Sequence, residues 1–147
     1  MGAEQQLLEI ITSGKDCPAS TLMPLFEKLE PASAEFMIGT WKGGKFDSTK
    51  PDPINWYGKR FVSSTHVEPL LARRPDGTVY SYDNLGVAQL REVVFGGKVQ
   101  ACLIYDKHPM MDYFRKVTDN IVIGLGDIKG RPTDFFFWLE KETAGTK

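Results

Sequence analysis

The chain of 147 residues has little of what metal, redox and acid–base chemistry usually requires: two cysteines and two histidines. Cys17 and Cys102 lie far apart with no CxxC pair, which argues against a zinc site or a disulfide framework. Cys102 falls in an apolar run, where a buried inert thiol is expected. His66 and His108 stand alone, weak grounds for a haem ligand, and Asp52, Asp106, Asp112, Asp119 and Asp127 are too scattered to suggest a metal. There is no Gly-x-Ser-x-Gly elbow, and Gly124-x-Gly126 is not followed by the Gly-Lys-Ser of a phosphate loop. No cofactor is expected. Charge of one sign is also lacking: 18 basic against 19 acidic side chains give a net charge of −1, which disfavours a nucleic-acid partner held by bulk electrostatics. No apolar run approaches the roughly 18 residues of a membrane span. The start turns polar directly after Gly2, unlike a secretory signal. Gln6 stands where a myristoylation signal needs Ser or Thr. The expectation is a cytoplasmic protein forming one domain over 1–147, with a helical segment over 1–31 packed on a β unit over 35–141.

What the chain does contain is short aromatic and β-branched runs separated by turn signals. Leu7, Leu8, Ile10 and Ile11 have helical spacing, and Ser13-Gly14 supplies a stop. Leu22, Leu25, Phe26 and Leu29 share a second helical face; Pro24 either begins that helix or kinks it. From Glu35 onward the pattern predicts an antiparallel sheet, with strands over Glu35–Phe46, Phe61–Val67, Pro69–Arg73, Thr78–Tyr82, Ala88–Phe95, Lys98–Tyr105, Ile121–Ile128 and Asp134–Lys141. Pro75-Asp76-Gly77 and Gly96-Gly97 read as hairpin turns, and the tail Thr143–Lys147 reads as frayed. The last strand, Phe135-Phe136-Phe137-Trp138-Leu139, is apolar on both faces. It therefore needs cover on both sides, from a barrel interior and from the N-terminal helices. Eight short strands with a doubly buried last member favour a closed antiparallel barrel, because closure removes exposed edges.

The segment Phe36–Asp47 holds the most distinctive spacing, Gly-x-Trp-x-Gly at Gly39, Trp41 and Gly43. It resembles the GXWXG domain family, whose members carry a domain of unknown function directly downstream. The resemblance continues through Trp56-Tyr57-Gly58-Lys59, Ile104-Tyr105-Asp106, Pro109, Asp112, Phe114-Arg115 and Val122–Asp127. The same Gly-x-Trp is similar to the first strand of lipocalins and fatty-acid-binding proteins. That likeness implies a calycin-like barrel whose base is sealed by Trp41 under a cation, with Lys141 or Arg131 as the candidates. Unlike the fatty-acid-binding pattern, the obvious helices here precede the Gly-x-Trp strand.

A barrel of about eight strands has an interior that side chains fill or that holds one small ligand. Small residues beside aromatic walls favour a ligand cavity for a hydrophobic molecule or lipid. Trp41, Trp56, Tyr57, Tyr80, Tyr82, Met110 and Phe114 are its candidate lining, and Lys59 or Arg60 would meet an acidic head group. The segment Tyr105–Arg115 is expected to form a short helix after Pro109, with Met110, Tyr113, Phe114 and Val117 as an apolar side that plugs the mouth. On it Asp112 and Arg115 would pair at i, i+3. The competing reading makes Tyr105, Asp106, His108 and Asp112 a catalytic set for cofactor-independent isomerisation, cyclisation or dehydration in the same cavity. A filled barrel acting as an interaction module is the third alternative.

Overall fold

A computed structural model describes residues 2–143, so 144–147 of the expected frayed tail lie outside the described residues. Nine antiparallel strands form one sheet: β1 (Gly39–Lys45), β2 (Trp56–Ser63), β3 (His66–Arg73), β4 (Val79–Ser81), β5 (Ala88–Phe95), β6 (Lys98–Tyr105), β7 (Met110–Lys116), β8 (Ile121–Ile128) and β9 (Phe135–Lys141). The order is β2-β1-β9-β8-β7-β6-β5-β3-β4, and a further β2–β3 pairing closes the ring. Eight strands make the closed circuit, while β4 hangs on the outer edge of β3.

Three helices precede the ring: α1 (Ala3–Ser13), α2 (Ala19–Glu27) and the single turn α3 (Ala34–Met37). Gly14 ends α1 at φ 69°, its N–H donating to Ile11 O, which is the left-handed stop that Ser13-Gly14 predicts. The second helix does not begin at Pro24: it runs from Ala19, with Pro24 inside. Leu22, Leu25, Phe26 and Leu29 are all buried. The Ser33 hydroxyl accepts from Phe36 N–H and starts α3, so the first strand begins four residues later than Glu35.

Strand alternation divides the apolar residues between two layers. Phe136, Ile121, Ile123 and Leu125 face outward and pack under Leu7, Leu22, Leu25 and Phe26 of the helices. Phe137, Leu139, Val122, Leu103, Leu90 and Trp41 face the ring interior. The last strand is thus covered on both sides, as its five consecutive apolar residues require.

The largest correction concerns Tyr105–Arg115. No helix follows Pro109; Met110–Lys116 is β7, bonded to β6 and β8. Its inner face is Met110, Asp112 and Phe114 and its outer face Met111, Tyr113 and Arg115. A strand buried on both faces loses the polar alternation that marks a half-buried one, and its apolar residues then mimic a helical face. Asp112 and Arg115 consequently point to opposite sides and do not pair. Arg115, 1% exposed, instead donates to Gln100 Oε1 at 2.8 Å and to the carbonyls of Phe26, Leu29 and Phe95. It fastens the end of α2 to the outside of the ring, its guanidinium 4.6 Å from the Phe26 ring centroid.

Candidate functional site

The ring interior is filled at one end and hollow at the other. Trp41, Phe61, Phe114, Leu139 and Met37 pack the filled end without exposure beyond 2%. Trp41 donates its indole N–H to Met37 O at 2.8 Å, and Lys141 Nζ lies 5.4 Å from its ring while donating to Phe36 O. Lys141, rather than Arg131, is therefore the sealing cation. The glycines of the motif make the geometry possible. Gly39, at φ 136°, passes under the Lys141 stem, and a Cβ on Gly43 would lie 2.3 Å from the Trp56 indole.

The hollow end holds a cavity of about 320 Å³ walled by Trp56, Leu70, Tyr82, Leu85, Tyr105, Met110, Phe135 and Phe137, with Lys59 and Asp112 in its lining. Pro51, Asp52, Pro53, Ile54, Lys45 and His108 border it as well. Lys45 Nζ and Asp52 Oδ2 are 3.0 Å apart, and Asp52 also accepts from the Trp56 backbone N–H. A groove of about 470 Å³ outside the ring, between α2 and the start of β9, is bordered by exposed Asp16, Lys50 and Asp134; Asp16 there bonds Ser48.

Three polar side chains meet inside this apolar hollow. Lys59 is 3% exposed and Asp112 0%. Lys59 Nζ lies 3.3 Å from Asp112 Oδ2 and donates to the Tyr105 hydroxyl at 3.0 Å and to Pro69 O at 3.2 Å. The Tyr105 hydroxyl in turn donates to Asp112 Oδ2 at 3.2 Å. The ammonium also sits 5.0 Å from the Phe137 centroid and 5.6 Å from that of Trp56, so aromatic faces replace part of its lost hydration. Burial pulls the Lys59 ammonium below its ordinary value against the opposing pull of Asp112. Burial likewise pushes the Asp112 carboxyl up, although Lys59 and Tyr105 oppose it, and pushes the Tyr105 phenol up with Asp112 adding to the effect. Three acceptors around Nζ, and two donors on Oδ2, favour the ionised pair. Asp112 Oδ1 is buried with no partner among the described residues.

An irregularity in β2 builds this cluster. Trp56 and Lys59 are an odd three residues apart yet both line the hollow, because the register with β3 shifts between Trp56 and Gly58 and again between Gly58 and Arg60. Such bulges re-aim side chains. Gly58 sits in the tight spot, where a Cβ would lie 1.9 Å from Trp41 O.

Of the candidate residues, the fold brings Trp56, Lys59, Tyr82, Tyr105, His108, Met110 and Asp112 to one cavity. The others lie elsewhere. Trp41 and Phe114 belong to the packed end. The Tyr57 hydroxyl donates to Glu142, and Arg73 covers its ring at 4.8 Å. Arg60 pairs with Glu68 at 2.7 Å, and Tyr80 lies under Arg74 at 4.1 Å. Asp106 is exposed and clamps the loop before β5, its Oδ1 accepting from Val87 N–H and its own N–H donating to Val87 O. Asp106 and His108 are thus on the loop between β6 and β7, His108 at the border of the cavity and Asp106 turned to Val87. Sequence reasoning missed Phe135 and Phe137, which the two-residue repeat of the last strand could have supplied, and Leu70, for which no signal existed. Cys102 is fully buried, and burial pushes its thiol up to about 12.

A closed antiparallel ring with a buried Lys–Asp–Tyr cluster in a half-hollow interior defines the class of architecture. Two family models match the chain, the GXWXG protein over residues 24–77 and the domain of unknown function DUF4334 over 86–141. A protein from Thermomonospora curvata, known from a crystal structure, is 49% identical over 97% of this chain and 100% of its own, with a TM-score of 0.91. The chain belongs to this GXWXG–DUF4334 family. No functionally curated protein matches it. No described helix is long and apolar enough to cross a membrane.

Proposed function

We propose that the protein binds one hydrophobic small molecule or lipid in the hollow end of its ring, in the manner of lipocalin-like carriers. The observation that carries this reading is the cavity of about 320 Å³ itself, walled by aromatic and aliphatic side chains with a few convergent polar groups. Pockets that bury small ligands have this make-up. Native mass spectrometry of gently purified protein, before and after incubation with lipids and hydrophobic metabolites, tests it. A retained mass is expected, and Met110→Trp, whose larger ring enters the hollow, should abolish it. Persistent absence of any retained molecule overturns the carrier reading.

A second reading is favoured by one feature, the unpartnered oxygen of Asp112 beside the Tyr105 hydroxyl. A buried carboxyl whose affinity for protons is raised can take and return a proton, as a cofactor-independent isomerase, cyclase or dehydratase needs. In that case Asp112→Asn would keep ligand retention and lose turnover, whereas Asp106→Asn would change neither. Turnover that survives Asp112→Asn excludes this assignment.

A further inference from the structure

Resting on the reading of the cavity as a small-molecule site, the hydrogen-bond inventory of the cluster narrows the ligand class. An ammonium has three protons, and those of Lys59 face Pro69 O, the Tyr105 hydroxyl and Asp112 Oδ2. The Tyr105 hydroxyl gives its own proton to Asp112 Oδ2. The cluster therefore offers a ligand no uncommitted donor. What it offers is an acceptor: Asp112 Oδ1, buried and without a partner among the described residues. That oxygen lies next to Gly126, where a Cβ would sit 3.4 Å from Oδ1, 2.9 Å from Met110 Cε and 3.0 Å from Phe135 Cδ2. Met110 and Phe135 are both cavity walls, so the oxygen lies just behind that wall, and a ligand reaches it when the flexible Met110 side chain moves aside.

We infer that the cavity takes a compact, neutral, apolar molecule bearing one hydrogen-bond donor, an alcohol or phenol whose hydroxyl donates to Asp112 Oδ1. An acid is disfavoured, because it would bring a second negative charge against Asp112 while every Lys59 proton is already committed. A ketone is disfavoured because it sets an acceptor against an acceptor. The volume of about 320 Å³ is at the small end for ligand pockets, which is why the molecule is a compact one.

The test uses one skeleton with its polar group varied: menthol, menthone, menthane and the corresponding menthane carboxylic acid, titrated by ligand-observed NMR against the full chain. Menthol is expected to bind about ten- to a hundredfold more tightly than the other three, the usual effect of a hydrogen bond to a buried charge. Asp112→Asn should invert the order. Its amide oxygen would stay on Lys59 and Tyr105, and its amide N–H would face the hollow and select menthone. A merely structural Asp112 would weaken all four compounds alike. If that variant does not fold, the wild-type series decides alone. Menthone or the acid binding as tightly as menthol overturns the inference. Equal binding of menthol and menthane overturns it too, since water would then already serve Oδ1. If none of the four binds, the inference falls; if native mass spectrometry also shows no retained molecule, the small-molecule reading falls with it.

Discussion

Removing the Lys59 ammonium tests whether the buried cluster is an ion pair. Lys59→Met keeps most of the apolar stem and leaves Asp112, at 0% exposure, with the Tyr105 hydroxyl as its one remaining donor. Breaking one side of a buried pair typically costs about 3–5 kcal/mol, because the surviving charge stays in low dielectric. For a chain of this length, a loss of about 4 kcal/mol lowers Tm by ~8–16 °C. It moves the urea midpoint by ~2 M at a slope of about 2 kcal/mol/M.

The loss should depend on pH. Burial already holds the Asp112 carboxyl above its ordinary value, and Lys59 is the strongest opposing influence; without it the folded-state pKa rises further. Below the unfolded value of about 3.9, both states carry the proton and ionisation costs nothing. Above it the unfolded chain releases the proton while the folded chain retains it. Stability then falls by about 1.4 kcal/mol per pH unit until the folded-state pKa is reached. The deficit of Lys59→Met relative to wild type is therefore smallest near pH 4 and largest near pH 8. Replacing the whole cluster, as Lys59→Met/Tyr105→Phe/Asp112→Leu, removes every stranded polar group and should recover most of the loss. Urea unfolding followed by tryptophan fluorescence across that pH range measures all three proteins. A deficit that does not change with pH, or a triple variant weaker than Lys59→Met, refutes the ion-pair account.

Two further perturbations probe the scaffold around the site. Arg115→Met strips four hydrogen bonds from the end of α2 and from Gln100 and Phe95; at about 0.5–1.5 kcal/mol each, a loss of ~2–6 kcal/mol is expected. Hydrogen exchange should show α2 deprotected more than β8, and uniform deprotection would contradict the fastening role. Gly58→Ala should cost at least the ~3 kcal/mol at the upper end of overpacking, since its Cβ would meet backbone, Trp41 O at 1.9 Å. Gly77→Ala, with open space around its Cβ but φ at 89°, should cost only the ~1–2 kcal/mol of a left-handed residue. Chemical denaturation of the pair separates the two effects, and equal losses would show that close approach is not what Gly58 permits.

How much was legible in the sequence depends on how local the signal is. The hairpin of β5 and β6 begins and ends where the pattern predicts, because Gly96 and Gly97 supply two consecutive positive φ values, 61° and 77°, and only a tight two-residue turn needs that. The covered last strand was legible because five apolar residues in succession admit no exposed face. β7 was not, since Met110–Lys116 is also doubly buried but carries Asp112 on its inner face and Arg115 on its outer one, each held by partners remote in sequence. Lys59, 46 residues from Tyr105, reads as a loop lysine until the β2 bulges turn it inward. Tyr105 and Asp112 were singled out, but grouped with Asp106, whose carboxylate is on Val87 N–H, rather than with Lys59, which lies 3.3 Å from Asp112.

The GXWXG spacing itself does not mark the cavity; it explains why there is one. Trp41 points into the ring from β1 and fills one end, and two residues on, Gly43 presents bare backbone on the same face, over which Trp56 lies. A side chain at Gly43 would force the Trp56 ring off this wall, and Phe137, with which it makes an edge contact at 5.9 Å, would shift with it, so that both rings would crowd the hollow they line. Gly124 does the same service opposite, since a Cβ there would meet the Phe137 ring at 2.3 Å. Large rings seated against bare backbone lie flat along the walls instead of crossing the interior. Beyond Trp41 and Phe61 the ring therefore keeps a volume its own side chains do not fill, and Lys59, Tyr105 and Asp112 meet in its wall. An apolar ring with a packed interior would have no need to carry a buried carboxylate with an idle oxygen, which costs stability wherever it is not used.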